Sequence, residues 1–317
     1  VALYPKEIKM EYKNYNQEIP VTRETINMEY KNFSQWSILG DGGFLPATAS
    51  LNTLPSGLYE ITWDYKVNDF CMLYQKINTD ELFELPTEEI ENILKDIKSF
   101  WKKKDFYQQY KPTHKRGILL HGDPGCGKSG IIQLCMKQII NELEGIVINL
   151  KDENSIKGYL ELIPKFRQIE PNRPLIVIIE DIDSVAEYSN DCTSALLNIL
   201  DGIKQIENVV YIATTNYPEK LAERITNRPS RFDRRYYVSP PSEEVRKVYI
   251  LNKIGDSKSE IDINRWVKDT EGLSMSHLKE LFTSVVLLDI EYESAIAHLK
   301  GMKKIPRGKA HKEIGFK

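Results

Sequence analysis

The stretch Gly122-Asp123-Pro124-Gly125-Cys126-Gly127-Lys128-Ser129 constrains this chain more than any other. It fits the pattern G-x-x-x-x-G-K-[ST], with Gly122 and Gly127 as the fixed glycines. A short apolar run, Gly117 to Leu120, leads into it as a buried strand, and Gly130 to Glu142 continues as an apolar helix. Strand, glycine-rich loop and helix, in that order, are the context the motif needs. Glycines at 122, 125 and 127 let the backbone curl with its N–H groups inward, so that a polyphosphate can be cradled at the positive end of the following helix. Lys128 would then reach the β- and γ-phosphates, and the Ser129 hydroxyl would hold Mg²⁺. The competing reading is a glycine-rich turn that holds nothing.

Downstream residues supply what such a loop requires. Gly145 to Leu150 reads as a second buried strand and Ile156 to Gln168 as a helix. The apolar run Leu175 to Ile179 then ends in Glu180-Asp181-Ile182-Asp183. In a phosphate-loop fold one carboxylate at this place supports Mg²⁺ and a second orients the attacking water; Glu180 takes the first role here and Asp181 the second. Clustered acids with no cation between them would only repel. Ser194 to Leu200 is a short helix, and Val209 to Thr214 a strand whose exit carries Asn216, near the γ-phosphate if the strands are adjacent. A turn-forming asparagine is the rival there. The segment Arg224 to Arg235 holds five arginines in twelve residues, with few acids close in sequence, before a last strand at Tyr236 to Val238. Surface ion pairing is the alternative to a function for these arginines.

The flanks differ from this centre. Residues 1–84 are rich in Tyr, Asn, Thr and Gly, and Leu58 to Lys66 and Asp69 to Ile77 look like two strands joined around Val67-Asn68. We expect a small β-rich N-terminal domain, for docking or purely structural. Thr87 is a candidate N-cap for a helix that places Ile90, Ile93, Leu94, Ile97 and Trp101 on one face. That helix ends in three lysines, and with Lys111, Lys115 and Arg116 they make a basic stretch, read as a solvated face or as a nucleic-acid contact. From Ser242 the pattern turns helical: Glu243 to Ile254, Ile263 to Thr270, Ser274 to Asp289 and Tyr292 to Lys300. The expected units are therefore 1–84, a nucleotide-binding α/β domain at 85–240, a helical lid at 241–300, and a basic, mobile tail at 301–317.

Composition excludes more than it identifies. A net charge of −3 over 317 residues demands neither nucleic acid nor an anionic membrane as partner. The four cysteines have neither C-x-x-C spacing nor a histidine cluster, which fits a reducing, cytoplasmic compartment and suggests neither a zinc site nor a disulfide framework. No apolar run approaches the roughly 18 residues of a membrane span, and no signal peptide is visible.

Over about residues 86–300 these features together resemble the AAA+ ATPases, specifically the AAA subgroup. Four motifs carry the resemblance, in order and at the right spacing: the Walker A loop Gly122–Ser129, the Walker B strand ending at Glu180-Asp181, the sensor-1 Asn216 within Ala213-Thr214-Thr215-Asn216, and Arg228-Pro229-Ser230-Arg231-Phe232-Asp233. The resemblance implies a P-loop NTPase fold, a parallel sheet flanked by helices with a C-terminal helical lid. It implies ATP and Mg²⁺ as cofactors, with Gly122, Asp123, Pro124, Gly125, Cys126, Gly127, Lys128, Ser129 and Gly130 on the nucleotide and Ser129 and Glu180 on the metal. Asp181 and Asn216 would be catalytic. Arg228 and Arg231 match the arginines that act on a neighbouring subunit's nucleotide in a homo-oligomeric ring, commonly a hexamer.

Within that family the Glu180-Asp181 order inverts the usual Asp-Glu and is similar to the mitochondrial AAA translocases of the Rieske iron–sulfur protein, as is Thr214-Thr215-Asn216-x-Pro218-Glu219-Lys220-Leu221. Those relatives carry an N-terminal membrane anchor, and no matching run occurs in this sequence. Ring unfoldases carry an aromatic–hydrophobic–Gly pore loop between the positions of Leu150 and Gly158; Ser155-Ile156-Lys157-Gly158-Tyr159 does not match it, so threading of a polypeptide is not implied. Gly272-Leu273-Ser274-Met275-Ser276-His277 resembles the start of a lid helix without the sensor-2 arginine. The leading expectation is an ATP-driven ring motor that remodels, assembles or translocates a protein client held by residues 1–84. The alternative is a nucleic-acid machine of the clamp-loader or helicase type, kept open by the basic stretch and the lysine-rich tail. No H-E-x-x-H occurs for a fused zinc protease.

Overall fold

A computed structural model describes residues 52–65, 68–76, 87–110, 113–187, 189–201, 206–221, 231–254 and 261–303, together with the backbone of four short strands between residues 12 and 47. Those strands form two antiparallel pairs, β1 (Tyr12–Asn14) with β2 (Gln17–Ile19) and β3 (Gln35–Ile38) with β4 (Phe44–Ala47). The rest is built on one seven-stranded sheet. Its strands are β5 (Gly57–Asp64), β6 (Asp69–Gln75), β7 (Lys115–His121), β8 (Ile146–Asn149), β9 (Leu175–Ile179), β10 (Val209–Thr215) and β11 (Arg234–Tyr237). They lie in the order β11-β7-β10-β9-β8-β5-β6, all parallel except the edge strand β6.

The sequence explains why the sheet is buried on both faces. Its central strands are unbroken apolar runs, as parallel strands covered on both sides require. Because successive side chains point to opposite faces, each run feeds two cores. Ile118, Leu120, Val147, Ile176, Ile178, Val210 and Ile212 pack beneath α1 (Glu88–Lys102) and α3 (Lys128–Leu143). Leu119, Ile146, Ile148, Leu175, Val177, Ile179, Val209 and Tyr211 pack beneath α4 (Glu153–Ile169) and α6 (Asn190–Asp201). Thr87 caps α1, its hydroxyl accepting from Ile90 N at 3.3 Å, and Ile93 and Ile97 are fully buried on the expected face.

The boundary expected at residue 84 is corrected by β5 and β6. The hairpin lies near the expected positions, yet it extends the central sheet: Gly57 to Glu60 pair in parallel with Ile146 to Asn149 of β8. Tyr59 and Ile61 belong to the same core as α4, with Phe70, Met72 and Tyr74 packed against it. Leu54 N donates to Glu170 Oε1 at 2.7 Å, and Lys151 pairs with Glu60 at 2.9 Å, so the segment is tied to both ends of α4. β8 would otherwise be an open edge, and pairing it satisfies a row of backbone groups.

The segment between β8 and β9 bears on threading. A capping box at Asp152 and Ser155 starts α4 three residues after β8, and the helix runs unbroken to Ile169. Ser155, Ile156 and Tyr159 are almost fully buried, and the Tyr159 hydroxyl lies 3.0 Å from that of Tyr211. Burial of this phenol pair pushes Tyr211 up to about 12. The aromatic residue nearest to a pore-loop position is therefore a core residue.

Part of the basic stretch, and Lys98 just ahead of it, is answered from within the chain. Lys98 pairs with Glu142 at 3.0 Å, Arg116 with Asp96 at 3.0 Å, Lys104 donates to Asn172 Oδ1 at 2.7 Å, and half-buried Lys115 donates to the Leu200 carbonyl. Lys111 lies outside the described residues.

The lid forms its own core from α7 (Glu243–Ile254), α8 (Ile263–Asp269), α9 (Met275–Phe282), a π-helical turn at Thr283–Leu287 and α10 (Tyr292–Lys303). Tyr249, Ile250, Trp266, Leu273, Leu278, Leu281, Ile296 and Leu299 fill it. The tail beyond residue 303 lies outside the described residues, as does the mobility expected of it. Among the described residues no helix is long and apolar enough to cross a membrane.

Candidate nucleotide site

The loop Gly122–Gly127 follows β7 and runs into α3, as the motif requires. Gly125 (φ 77°) and Gly127 (φ 106°) occupy the left-handed region, where a side chain would be strained. With Gly127 at the N-terminus of α3, the loop's N–H groups and the helix dipole favour an anion. Lys128 folds back beneath it, 7% exposed, its Nζ donating to Gly122 O at 2.9 Å, Asp123 O at 3.0 Å and Asn216 Oδ1 at 2.6 Å.

Sheet order brings the remaining groups to the loop. β10 lies between β7 and β9, so the exits of all three strands are adjacent. Ser129 Oγ donates to Glu180 Oε2 at 2.8 Å, which places the hydroxyl and carboxylate expected on Mg²⁺ in direct contact. Asn216 Nδ2 donates to Asp181 Oδ1 at 3.1 Å. Asn216 thus stands between Lys128 and Asp181, the amide oxygen facing the cation and the amide nitrogen the anion. Both acids are exposed to the cavity, whereas Asp183 is buried and accepts from Thr215 Oγ1 at 2.7 Å. His121, at the exit of β7, has its imidazole pKa lowered by burial and by Arg235 and Lys128.

These groups line a cavity of about 700 Å³, within the range of small-molecule sites. Its floor is Pro124, Gly125 and Gly127 to Gly130, its far wall Glu180, Asp181, Thr214 and Asn216, and its roof comes from the lid through Tyr249, Met275, Ser276 and Lys279. Ser276 N donates to Gly125 O at 3.1 Å, docking α9 on the loop. The donor set fits a magnesium nucleotide: a backbone cradle and ammonium for phosphate, and a hydroxyl with a carboxylate for a hard cation. Gln133, Tyr249 and Lys279 lay outside every sequence motif. One helical turn separates Met275 from Lys279, and that spacing is a sequence signal for Lys279 alone.

The arginine segment is placed in part. Arg224 and Arg228 lie outside the described residues. Arg231 is 6% exposed, with Nε 3.7 Å from Asp201 Oδ2, and Arg234 pairs with Asp96 at 3.8 Å. With few acids close in sequence, these two arginines find theirs at a distance, on α6 and α1. Asp233 Oδ2 accepts from Gly117 N at 2.8 Å, and a Cβ at Gly117 would lie 1.9 Å from Arg231 O. Only glycine lets β7 pass so close to this segment.

Comparison with known proteins agrees with this geometry. Residues 118–240 match the family described as ATPase family associated with various cellular activities (AAA). The chain is 27% identical over 254 residues to Protein SAV of Sulfolobus acidocaldarius, covering 73% of this chain and 32% of that protein. It is 28% identical over 222 residues to the ATP-dependent zinc metalloprotease FtsH of Lancefieldella parvula, covering 65% and 34%. Against the Cell division cycle protein 48 homolog of Archaeoglobus fulgidus it is 26% identical over 227 residues, covering 64% and 30%. Residues 118–240 thus match an AAA ATPase domain, and the chain spans about a third of the length of these relatives.

Proposed function

We propose that this chain is a Mg²⁺-dependent ATP hydrolase whose turnover drives the remodelling, assembly or translocation of a protein client by a homo-oligomeric ring, a hexamer in the form common to its family. The observation that carries the reading is the paired contact Ser129–Glu180 and Lys128–Asn216–Asp181 around one cavity. When bound, Mg²⁺ would offset phosphate charge, with Ser129 and Glu180 as its protein ligands. Lys128 exchanges its carbonyl partners for the β- and γ-phosphate oxygens. Asp181 orients the attacking water, and Asn216 fixes the Asp181 carboxylate relative to Lys128. Arg228 and Arg231 serve the neighbouring subunit's nucleotide. Residues 1–51, ahead of the sheet, are the segment we assign to the client.

The finer likeness to the Rieske-protein translocases rests on the Glu180-Asp181 order and the Thr214–Leu221 stretch. It is favoured over a threading unfoldase by the buried Tyr159 and the direct β8–α4 connection. The ion pairs within the basic stretch weigh against the nucleic-acid alternative, whose signature would be binding that falls steeply with salt. Four cysteines, all free, fit a reducing compartment, and we place the protein in the cytoplasm.

Native mass spectrometry of the Asp181→Asn variant with Mg·ATP tests the ring, since a stalled site should hold nucleotide and neighbours together. A ring of six with one ATP per chain is the expected result, and monomers under saturating ATP would remove the ring from the proposal.

A further inference from the structure

We infer that Thr214 is a positioning residue for Asp181, its hydroxyl holding the backbone of that aspartate in the left-handed conformation from which the short carboxylate faces the cavity. The inference rests on the reading of Asp181 as the group that orients water. Asp181 has φ 46°, a region that side chains other than glycine seldom enter and that aspartate tolerates better than most. Its N–H donates to Thr214 Oγ1 at 3.0 Å. Thr214 is 3% exposed, at the exit of β10, on the cavity wall.

The backbone groups of Asp181 and one carboxylate oxygen have partners. Its carbonyl accepts from Ser184 N at 2.8 Å and Val185 N at 3.2 Å at the start of α5 (Ile182–Glu187), and its carboxylate accepts from Asn216 Nδ2. Among the described residues, the bond to Thr214 is the one that fixes the entry to the turn. Thr215, on the opposite face of the strand, donates to Asp183 Oδ1 at 2.7 Å and accepts from Tyr217 N at 3.0 Å. Successive threonines thus grip the turn from both faces and couple the strand bearing Asn216 to the strand bearing the acids. Asp181 is one methylene shorter than glutamate, so its carboxylate depends more on backbone direction than a longer side chain would.

The test compares Thr214→Val, which keeps the shape and removes the acceptor, with Thr214→Ser, which keeps the acceptor. Because a misplacement of about 1 Å can cost on the order of 10²-fold in rate, Thr214→Val should lower kcat by roughly that factor. Its Kd for Mg·ATP, by fluorescence titration, should remain within about twofold, since a positioning loss falls on kcat. The backbone amide of Asp181 in the nucleotide-free chain should exchange faster in Thr214→Val than in wild type, and Thr214→Ser should restore both slow exchange and most of kcat. If Thr214→Val does not fold, Thr214→Ala against Thr214→Ser carries the same comparison. Unchanged kcat in Thr214→Val, or parallel losses in kcat and nucleotide affinity, would overturn the inference. The controls separate the two levels: Asp181→Asn inactive with Thr214→Val active defeats only the positioning role, whereas an active Asp181→Asn defeats the underlying reading.

Discussion

Arg231→Ala is expected to bind ATP and to hydrolyse it roughly 10³- to 10⁵-fold more slowly, the range an arginine finger contributes to turnover. In the single chain this guanidinium is buried against Asp201, and its neighbours Phe232 and Asp233 are anchored, the first in the core and the second on Gly117 N. The backbone at Arg231 is thereby fixed while the side chain has an acid to rest on, and closure of a ring would exchange that carboxylate for a neighbour's γ-phosphate. Because the Arg231–Asp201 pair is buried, either role predicts a loss of stability of about 3–5 kcal/mol, and what marks the finger is turnover lost in the folded variant while ATP affinity is kept. Melting temperature and ATP affinity therefore accompany the rate. Mixing Arg231→Ala with Lys128→Ala should restore part of the turnover, because one mixed interface pairs an intact loop with an intact finger. Full activity in Arg231→Ala, or no rescue where mixed rings demonstrably form, contradicts a site shared between subunits. Arg228→Ala should behave alike.

Lys128→Ala is expected to abolish turnover and to weaken nucleotide binding. The ammonium is buried on three acceptors, two of them carbonyls of the loop itself, so it organises the cradle before any phosphate arrives. Its removal also leaves the Asn216 amide without the partner that orients it toward Asp181. Loss of one preorganised donor costs on the order of 10² to 10³ in kcat, and here a binding contact disappears with it. Phosphate release and the rise in melting temperature on adding Mg·ATP check both parts. Wild-type turnover in this variant would leave the loop without a function.

How much of this was legible in the sequence differs by kind of information. The core strands announced themselves as apolar runs closed by glycine, acids or asparagine, and the lid helices by their period, because those signals are local. The contacts of Ser129 with Glu180 and of Asn216 with Asp181 followed from motif order once the strand exits were adjacent. Pairing partners were not legible. Nothing near Gly57 indicates that β5 lies beside Ile146, so a hairpin of the sheet read as part of a separate domain. Asp201 lies thirty residues before Arg231, and a count of acids close in sequence could not find it. Ser155–Tyr159 showed no pore-loop match and Tyr159 fell in an expected helix, but its place in the core was not legible, because burial distinguishes a core tyrosine from a pore tyrosine. The lid residues Tyr249 and Lys279 reach the cavity through tertiary docking of α9 on Gly125, which leaves no trace in a motif.

The central claim, that Glu180 and Asp181 serve one hydrolytic site in distinct roles, is tested most directly by phosphate release from Mg·ATP by Asp181→Asn and Glu180→Gln, measured beside wild type with ATP affinity determined for each. The account predicts that Asp181→Asn holds Mg·ATP with near wild-type affinity and releases phosphate at least about 10²-fold more slowly, since orientation of the nucleophile is lost while binding groups remain. Glu180→Gln should instead require more Mg²⁺. Normal hydrolysis by Asp181→Asn together with a dead but Mg²⁺-indifferent Glu180→Gln would contradict it.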